Sequence, residues 1–485
     1  MSKKYVSLDK LLYFLNKLNS RFSSIVHKHN ISDIQDYVVE ENLSSTSNNP
    51  VSNKAIKEKF DEISSIINEQ RKDIDKLSDT ANAKHLDSTV YSEDGAHGLR
   101  FNEYDFELFF DGEWRKLPTP EPMTLAIDLT NSNPNTCCIY EDKAKTMIAG
   151  SEDWDKYFGY YPVLMKNGQE IVRLDPNDYS KDIDGNSVDI TSGNAGDVMI
   201  AFPRRGLRIS TADNIVRVSF TDNSNNSDFK YYAHQYNGRE LNKFYIGAYE
   251  GFIDDNGALR SLSAKNPTVS VSLEEVRDAA RLNGDNYEQI AFYQLLYLQC
   301  VYLIKYKSLD SQTALGRGRV HYDADYESEI DKVPAVTGTM NAVGLSYGTQ
   351  TGYEGVKLAG IEHAWGSCYK WLDGCRTDEN RNYQFTRDTF GSSTANYITV
   401  ETTFTSNTSG YLRTPIGNSE GGFLSNGSGG SATTYFSDMQ FCNASRIANF
   451  GGNWDVNDMG GAFLISFYDQ ADEQKEHVCG RLMKL

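Results

Sequence analysis

Gly360-Ile361-Glu362-His363-Ala364-Trp365-Gly366-Ser367-Cys368-Tyr369-Lys370-Trp371-Leu372-Asp373-Gly374 is the stretch on which the reading of this chain turns. It carries two of the five tryptophans and lies within a longer region, residues 338–460, rich in Gly, Ser, Asn, Thr and Tyr and poor in predictable elements. A long loop-rich stretch inside a compact domain normally exists to bind something. Contacts with a partner are therefore expected here.

Working upstream, the convincing helices of the C-terminal half come first. Ser272 with Glu275 forms a capping box, and Gly284 is expected to close that helix as its C-cap. Asp285 then starts a second helix whose Ile290, Phe292, Leu295, Leu296, Leu298 and Val301 are apolar on most faces, as in a buried core helix. Residues 123 to about 245 alternate β-prone runs, Val198 to Phe202 and Ile215 to Phe220, with turns at Asn167-Gly168, Asp184-Gly185 and Asn237-Gly238. Pro118 to Pro122 holds three prolines in five residues, a stiff linker and domain boundary. In residues 85–118, Leu99 and Phe101, then Tyr104, Phe106, Leu108 and Phe110, alternate ahead of Asp111-Gly112 and Trp114, predicting a small β module.

Further upstream the period changes. Leu8, Leu11, Leu15, Leu18, Phe22 and Ile25 step by three and four, the seam of a short helix that ends near His29 to Asp33. A second run, Ile56, Phe60, Ile63, Ile67, Gln70, Ile74, Leu77 and Ala81, holds its register for nearly four heptads. Isoleucine at both classes of core position favours three strands, with Gln70 fixing register. A parallel homotrimer is expected; a long amphipathic helix lying on its own globular domain is the alternative.

The 48 Lys and Arg against 67 Asp and Glu give a net charge of −19, which repels nucleic-acid phosphates and anionic lipid. The longest apolar stretch, Ala291 to Ile304, is interrupted by Gln294 and Gln299 and is too short to span a bilayer. The N-terminal MSKKYVSLDK leads into an amphipathic segment, not into an apolar signal core, so assembly in a cytoplasm is expected. Seven cysteines without CxxC spacing predict reduced, buried thiols.

His27-Lys28-His29-Asn30-Ile31-Ser32-Asp33-Ile34 and Ser47-Asn48-Asn49-Pro50-Val51-Ser52-Asn53-Lys54-Ala55-Ile56 resemble segments repeated in tail fibres and baseplate proteins of bacterial viruses. The opening stretch is one of four segments that resemble the C-type lectin fold as used by formylglycine-generating-enzyme-like proteins and by the tropism-determining proteins of viral retroelements. The others are Phe244 to Glu250, Phe450-Gly451-Gly452-Asn453-Trp454, and Gly460-Gly461-Ala462-Phe463 with Gly480-Arg481-Leu482. The likeness covers about half of the chain and bears on fold, since this fold hosts both enzymes and binders. With the periodicities above, the expected chain is α+β and multidomain: a trimeric coiled coil over 1–84, a small β module and linker over 85–122, a β-rich domain over 123–245 and, as the resemblance implies, a C-type-lectin-like domain over 246–485.

The sulfatase-activating members of that fold use a closely spaced cysteine pair near the C-terminus. Here Cys442 and Cys479 stand alone, while Cys368 and Cys375 fall where the resemblance places core. No histidine suggests a triad, and packing near Trp365 accounts for His363. An enzyme is not expected. In the tropism-determining proteins the residues around Gly-Gly-Asn-Trp contact the receptor; carried over, this points to Asn449, Asn453, Trp454, Asp455, Asn457 and Asp458, with Tyr435 and Asn443 upstream. Composition agrees, since Tyr and Trp give contact area while Asn and Ser adapt their hydrogen bonds; Trp454 could equally cap the core. Asp378, Glu379, Asn380 and Asn382 read as a solvated loop or, less simply, as calcium ligands. On a threefold axis His27 and His29 would gather six imidazoles, enough for an octahedral transition-metal ion such as the iron held by similar HxH motifs in viral fibres, or else a metal-free cap.

The expected function is that of a receptor-binding protein in the virion, at a tail tip or fibre. It would join other tail or baseplate proteins through its N-terminal region and engage a host cell-surface glycan or protein. The rival expectation is a structural baseplate or fibre component with no receptor contact.

Overall fold

The computed structural model describes residues 121–485, apart from 223–225, 322–332, 388–389, 392 and 394, together with the backbone of four strands between 89 and 116. Both heptad runs and the His27/His29 pair lie outside the described residues. The chain divides into two compact units, Met1–Thr119 and Pro120–Leu485. In the first, Thr89–Tyr91, Gly98–Asn102, Asp105–Phe110 and Glu113–Lys116 form an antiparallel meander in chain order. Phe110 pairs with Glu113 where the last two strands of this meander meet, and the expected turn at Asp111-Gly112 lies outside the described residues.

The second unit is mostly β with few helices. Its seven-stranded sheet runs Tyr287–Gln289, Leu482–Lys484, Lys243–Gly247, Asp197–Pro203, Tyr161–Lys166, Gln169–Asp175 and Asp178–Asp182. The run Val198 to Phe202 is buried throughout, which is why it reads as continuous apolar sequence instead of alternating. Asn167-Gly168 makes the tight turn between two of these strands, both residues having positive φ. The expected boundary at 245/246 cuts the strand Lys243–Gly247, whose neighbours are Asp197–Pro203 and Leu482–Lys484. Residues 123–245 and 246–485 therefore share one sheet and one core. The reason is non-local: turn signals mark hairpins, and nothing in the local sequence announces pairing with residues 482–484.

A four-stranded sheet runs Gly206–Ala212, Ile215–Thr221, Met123–Asp128 and Cys138–Asp142, and the long helix Phe292–Tyr306 touches its Met123–Asp128 strand as well as the strand Tyr369–Thr377. Its residues are buried on nearly every face. Tyr297 meets Phe220 at 5.3 Å, Phe244 at 5.4 Å and Phe202 at 6.2 Å, welding the helix to two sheets through edge-on rings. The preceding helix, Leu273–Arg281, carries the expected capping box between Ser272 and Glu275. Two expectations shift. That helix ends at Arg281, with Gly284 donating its N–H to the Arg281 carbonyl at 3.0 Å, and the next helix starts at Phe292, not Asp285. Tyr287–Gln289 is claimed instead as an edge strand beside Leu482–Lys484.

The third large sheet has nine strands, and its hub is Tyr369–Thr377, which pairs with Tyr383–Phe385, Ile447–Phe450 and, in parallel, Val478–Cys479. The stretch 360–374 feeds this hub and wires the core. Trp365 and Trp371 are fully buried, and their indole N–H groups donate to the carbonyls of Gly316 at 3.0 Å and Val271 at 2.8 Å. Glu362 accepts the N–H groups of Gly338 and Met340 at 2.7 and 2.9 Å. Asp373 takes a two-pronged Arg277 at 2.8 and 3.1 Å. Gly366 has φ +75°, and a Cβ there would stand 2.7 Å from the Arg319 backbone nitrogen, so only glycine fits. All seven cysteines are free and buried. Among the described residues no helix is long and apolar enough to cross a membrane.

Candidate functional site

The strand Ile447–Phe450 leads into Gly451-Gly452-Asn453-Trp454, and here the structure sorts the expected contact residues. Asn449 is buried, opposite Trp371 and Ser466 in the nine-stranded sheet, with its amide donating to Asp469 at 2.6 Å. Trp454 packs against Cys368 and Cys479, edge-on to His477, and is only 4% exposed. Asn453 is buried, its side chain accepting the Asp455 N–H at 3.4 Å. These three are scaffold and cannot touch a partner as they stand. Mid-strand position and a floor of sulfur and aromatic atoms consume them.

Asp455, Asn457 and Asp458 stand exposed on the turn that follows. Val456 between them is buried against Val320 and Leu464, so the turn is pinned from below while its polar groups point outward. The Asn457 N–H donates to the Val320 carbonyl at 3.0 Å, and its side-chain oxygen lies 2.6 Å from His321 Nδ1. Asp458 pairs with Arg317, and its carbonyl accepts the Gln312 amide at 3.1 Å. The His321 ring is 5.9 Å from that of Tyr353, which is 55% exposed. The result is a rim of two carboxylates, one guanidinium, an imidazole, an amide and a phenol ring. Such a set can exchange hydrogen bonds with hydroxyls or peptide groups and stack on an apolar face. Arg317, His321 and Tyr353 were missed in the sequence; Tyr353, between two glycines in the loop-rich region, carried the one readable signal.

The remaining expected residues are elsewhere on the hydrogen-bond map. Tyr435 is half-buried, has φ +55° and lies under Arg413, whose guanidinium is 5.1 Å from the ring. Asn443 is half-buried, its backbone tying Phe467 to Thr377. Asp378 accepts the N–H groups of Asn380 and Asn382, each at 2.8 Å, and the Asn382 amide at 3.0 Å, a self-satisfied turn.

One buried polar cluster was not foreseen. Glu250, Cys368 and Cys479 bring their ligand-type atoms within 4.8 Å of one another, so Cys479 does not stand alone. The Glu250 carboxylate is already taken: Lys370 at 2.9 Å, the Ser367 hydroxyl at 2.9 Å and the Cys368 N–H at 3.3 Å. Burial pushes the Glu250 pKa up, but Lys370 foremost, with Arg481, outweighs it and holds the carboxyl below its ordinary range. Burial pushes the Cys368 thiol well up, against the thiolate a metal needs. Arg481 anchors the same region, donating to the carbonyls of Gly247, Glu362 and His363. His363 is held neutral, down to about 4, first by burial. Glu250, Lys370 and Ser367 satisfy one another in this interior, whereas both buried ring nitrogens of His363 have no hydrogen-bond partner among the described residues.

Against known proteins, no family model matches the chain, and no curated protein matches it. Among solved structures there is a likeness. The chain is similar to PvdO from Pseudomonas aeruginosa. PvdO aligns over 61% of this chain and 97% of its own length, at 11% identity and a TM-score of 0.25. PvdO has the formylglycine-generating-enzyme-like, C-type-lectin-like fold. At that distance the likeness to PvdO concerns backbone arrangement, and no activity transfers from it.

Proposed function

We propose that this chain is a non-enzymatic receptor-binding protein of a bacterial virus tail, a homotrimer that attaches through its N-terminal region and presents the Pro120–Leu485 unit to a glycan or protein of the host surface. The observation that carries this reading is the turn at Asp455–Asp458: its polar groups are exposed while Val456 and Trp454 beneath it are locked into the core. A rigid mount of this kind lowers the entropy lost on binding. The tail-fibre resemblance of residues 27–56 supports the viral setting, and threefold presentation raises avidity without any tight single contact.

The test is adsorption. A combined Asp455→Ala, Asn457→Gly, Asp458→Ala variant changes only exposed side chains, glycine being used at 457 because φ there is +51°, and about 0.5 kcal/mol or less is expected at each position. It should fold as the wild type does and fail to stain host cells or compete with virion adsorption. Full adsorption by the folded variant would favour a purely structural place in a baseplate or fibre.

A further inference from the structure

Cys137 and Cys138 are adjacent in sequence, and their sulfurs lie 3.7 Å apart. Successive side chains on a strand point to opposite faces, so this closeness has a local cause. The strand starts only at Cys138, which pairs with Ile127. Cys137 belongs to the turn before it, where its N–H reaches the Asn133 carbonyl at 3.1 Å. Both side chains gather at the Pro134 carbonyl, which lies 3.5 Å from Cys137 Sγ and 4.0 Å from Cys138 Sγ and also accepts the Leu309 N–H at 3.0 Å. Each cysteine is 1% exposed, yet Asn133, Asn135, Thr136 and Ile139 around them are all exposed. The pair therefore lies directly beneath a surface loop, unlike Cys300 on the buried helix Phe292–Tyr306.

The two sulfurs are not equivalent. The neighbouring Cys138 thiol foremost, with the Cys137 N–H, holds the Cys137 thiol below its ordinary range against burial and the Asp128 charge. Cys138 is pushed well up by the same contact and by burial. Cys300, Cys368, Cys375 and Cys442 are pushed up as well, by burial first. The thiolate is the form that attacks oxidants, so Cys137 is the favoured point of reaction and Cys138 stands beside it as the resolving thiol. Hydrogen peroxide is little larger than water, and local opening of the loop suffices to admit it.

We propose that Cys137 and Cys138 are a peroxide-reactive dithiol that closes into a vicinal disulfide, a modification site independent of the receptor-binding reading. The Cys137 thiolate forms an S–O bond as the O–O bond of hydrogen peroxide breaks and hydroxide leaves, giving a sulfenic acid. The Cys138 sulfur then attacks that sulfur: the S–S bond forms, the S–O bond breaks, and the oxygen departs with the thiol proton as water. Two thiols and one peroxide thus become one disulfide and two waters, the sulfurs being oxidised and the peroxide oxygens reduced. Adjacent Cα atoms stand about 3.8 Å apart, closer than the roughly 4.4–6.8 Å of ordinary disulfides, so the ring is tight and a thiol reductant reopens it. Closure also removes the S–H donor from the Pro134 carbonyl, in a loop whose Ser132 carbonyl holds the Tyr435 N–H at 2.8 Å.

The test is a peptide map. Reduce the intact folded chain, remove the reductant, add hydrogen peroxide, alkylate the remaining thiols with iodoacetamide in denaturant and weigh the peptides. The peptide holding both residues should lose two hydrogens and escape alkylation before Cys368, Cys375 or Cys479 reacts, and dithiothreitol should restore both thiols. Cys138→Ser, which removes the resolving sulfur, should stop at a Cys137 sulfenic acid that dimedone captures. Cys137→Ser should slow oxidation at Cys138 about tenfold or more. If either variant does not fold, the wild-type map decides alone. The proposal is overturned if the pair stays reduced, if it passes to sulfinic acid with no disulfide, if the disulfide forms only in urea-unfolded protein, or if Cys138 oxidises as fast in Cys137→Ser as in the wild type.

Discussion

Replacing Lys370 by Met removes the cation from a pair whose two side chains are both 0% exposed. Methionine approximates the lysine stem in volume, so little cavity is created and the effect is electrostatic. Two bonds are lost, to Glu250 at 2.9 Å and to the Gly366 carbonyl at 2.7 Å. Glu250 keeps the Ser367 hydroxyl and the Cys368 N–H, with Arg481 close by, so it is weakened in support without being stripped. Breaking a buried pair from one side typically costs about 3–5 kcal/mol; the remaining partners place this case near the lower end, about 3 kcal/mol. Against a total stability of about 5–15 kcal/mol that is a large fraction. Glu250→Gln alone should cost a similar amount, because it leaves an uncompensated ammonium. The double variant, neutral on both sides, should recover about 2 kcal/mol or more relative to the sum of the singles. Urea unfolding followed by tryptophan fluorescence measures all three. A single-variant cost below about 1 kcal/mol, or a strictly additive double, would show that the pair does not organise this core.

Burial, offset in part by the Met340 and Gly338 N–H groups, raises the Glu362 carboxyl to about 7. The folded state then holds a proton that the unfolded state has lost between about pH 4.5 and 7, so this group makes stability fall as pH rises through that window. Subtracting the Glu362→Gln curve should expose that decline; identical curves would refute it. Trp454→Ala should cost about 3–5 kcal/mol and reduce binding only through unfolding, as a core residue would; a folded variant lacking adsorption would return Trp454 to the contact set. Ile63→Asp with Ile67→Asp should dissociate the expected trimer in light scattering, since buried uncompensated charge breaks a seam; a wild-type monomer would refute the trimer. If His27 and His29 hold iron or another transition metal, untagged protein should contain about one ion per three chains by elemental analysis.

Local signals in the sequence carried far. The Ser272/Glu275 capping box, the Asn167-Gly168 turn and the buried Leu295 to Val301 helix face each depend on residues within a few positions of one another, and each is found. What was illegible is long-range. Tyr287–Gln289 carries no strand pattern stronger than its helix pattern, and only the arrival of Leu482–Lys484 makes it β. The candidate site divides in the same way. The resemblance pointed to Asp455, Asn457 and Asp458 together with Asn449, and nothing local told the exposed Asn457 from Asn449, an identical amide that the sheet turns inward. Nor could spacing bring Cys368 to Cys479, because proximity there is set by a parallel strand pairing across the whole second unit.

The position of Leu482–Lys484 between Lys243–Gly247 and Tyr287–Gln289 also imposes an order on biosynthesis. Until a ribosome has made and released that strand, the hydrogen-bonding edges of both neighbours stay open and Met483 is missing from the core, although hundreds of residues have already emerged. Such exposed edges pair readily with those of other nascent chains. Closure of this sheet should therefore wait for that strand, favoured by chaperone protection during translation, and a stop codon only a few residues before Leu482 should yield aggregate rather than a shortened native protein.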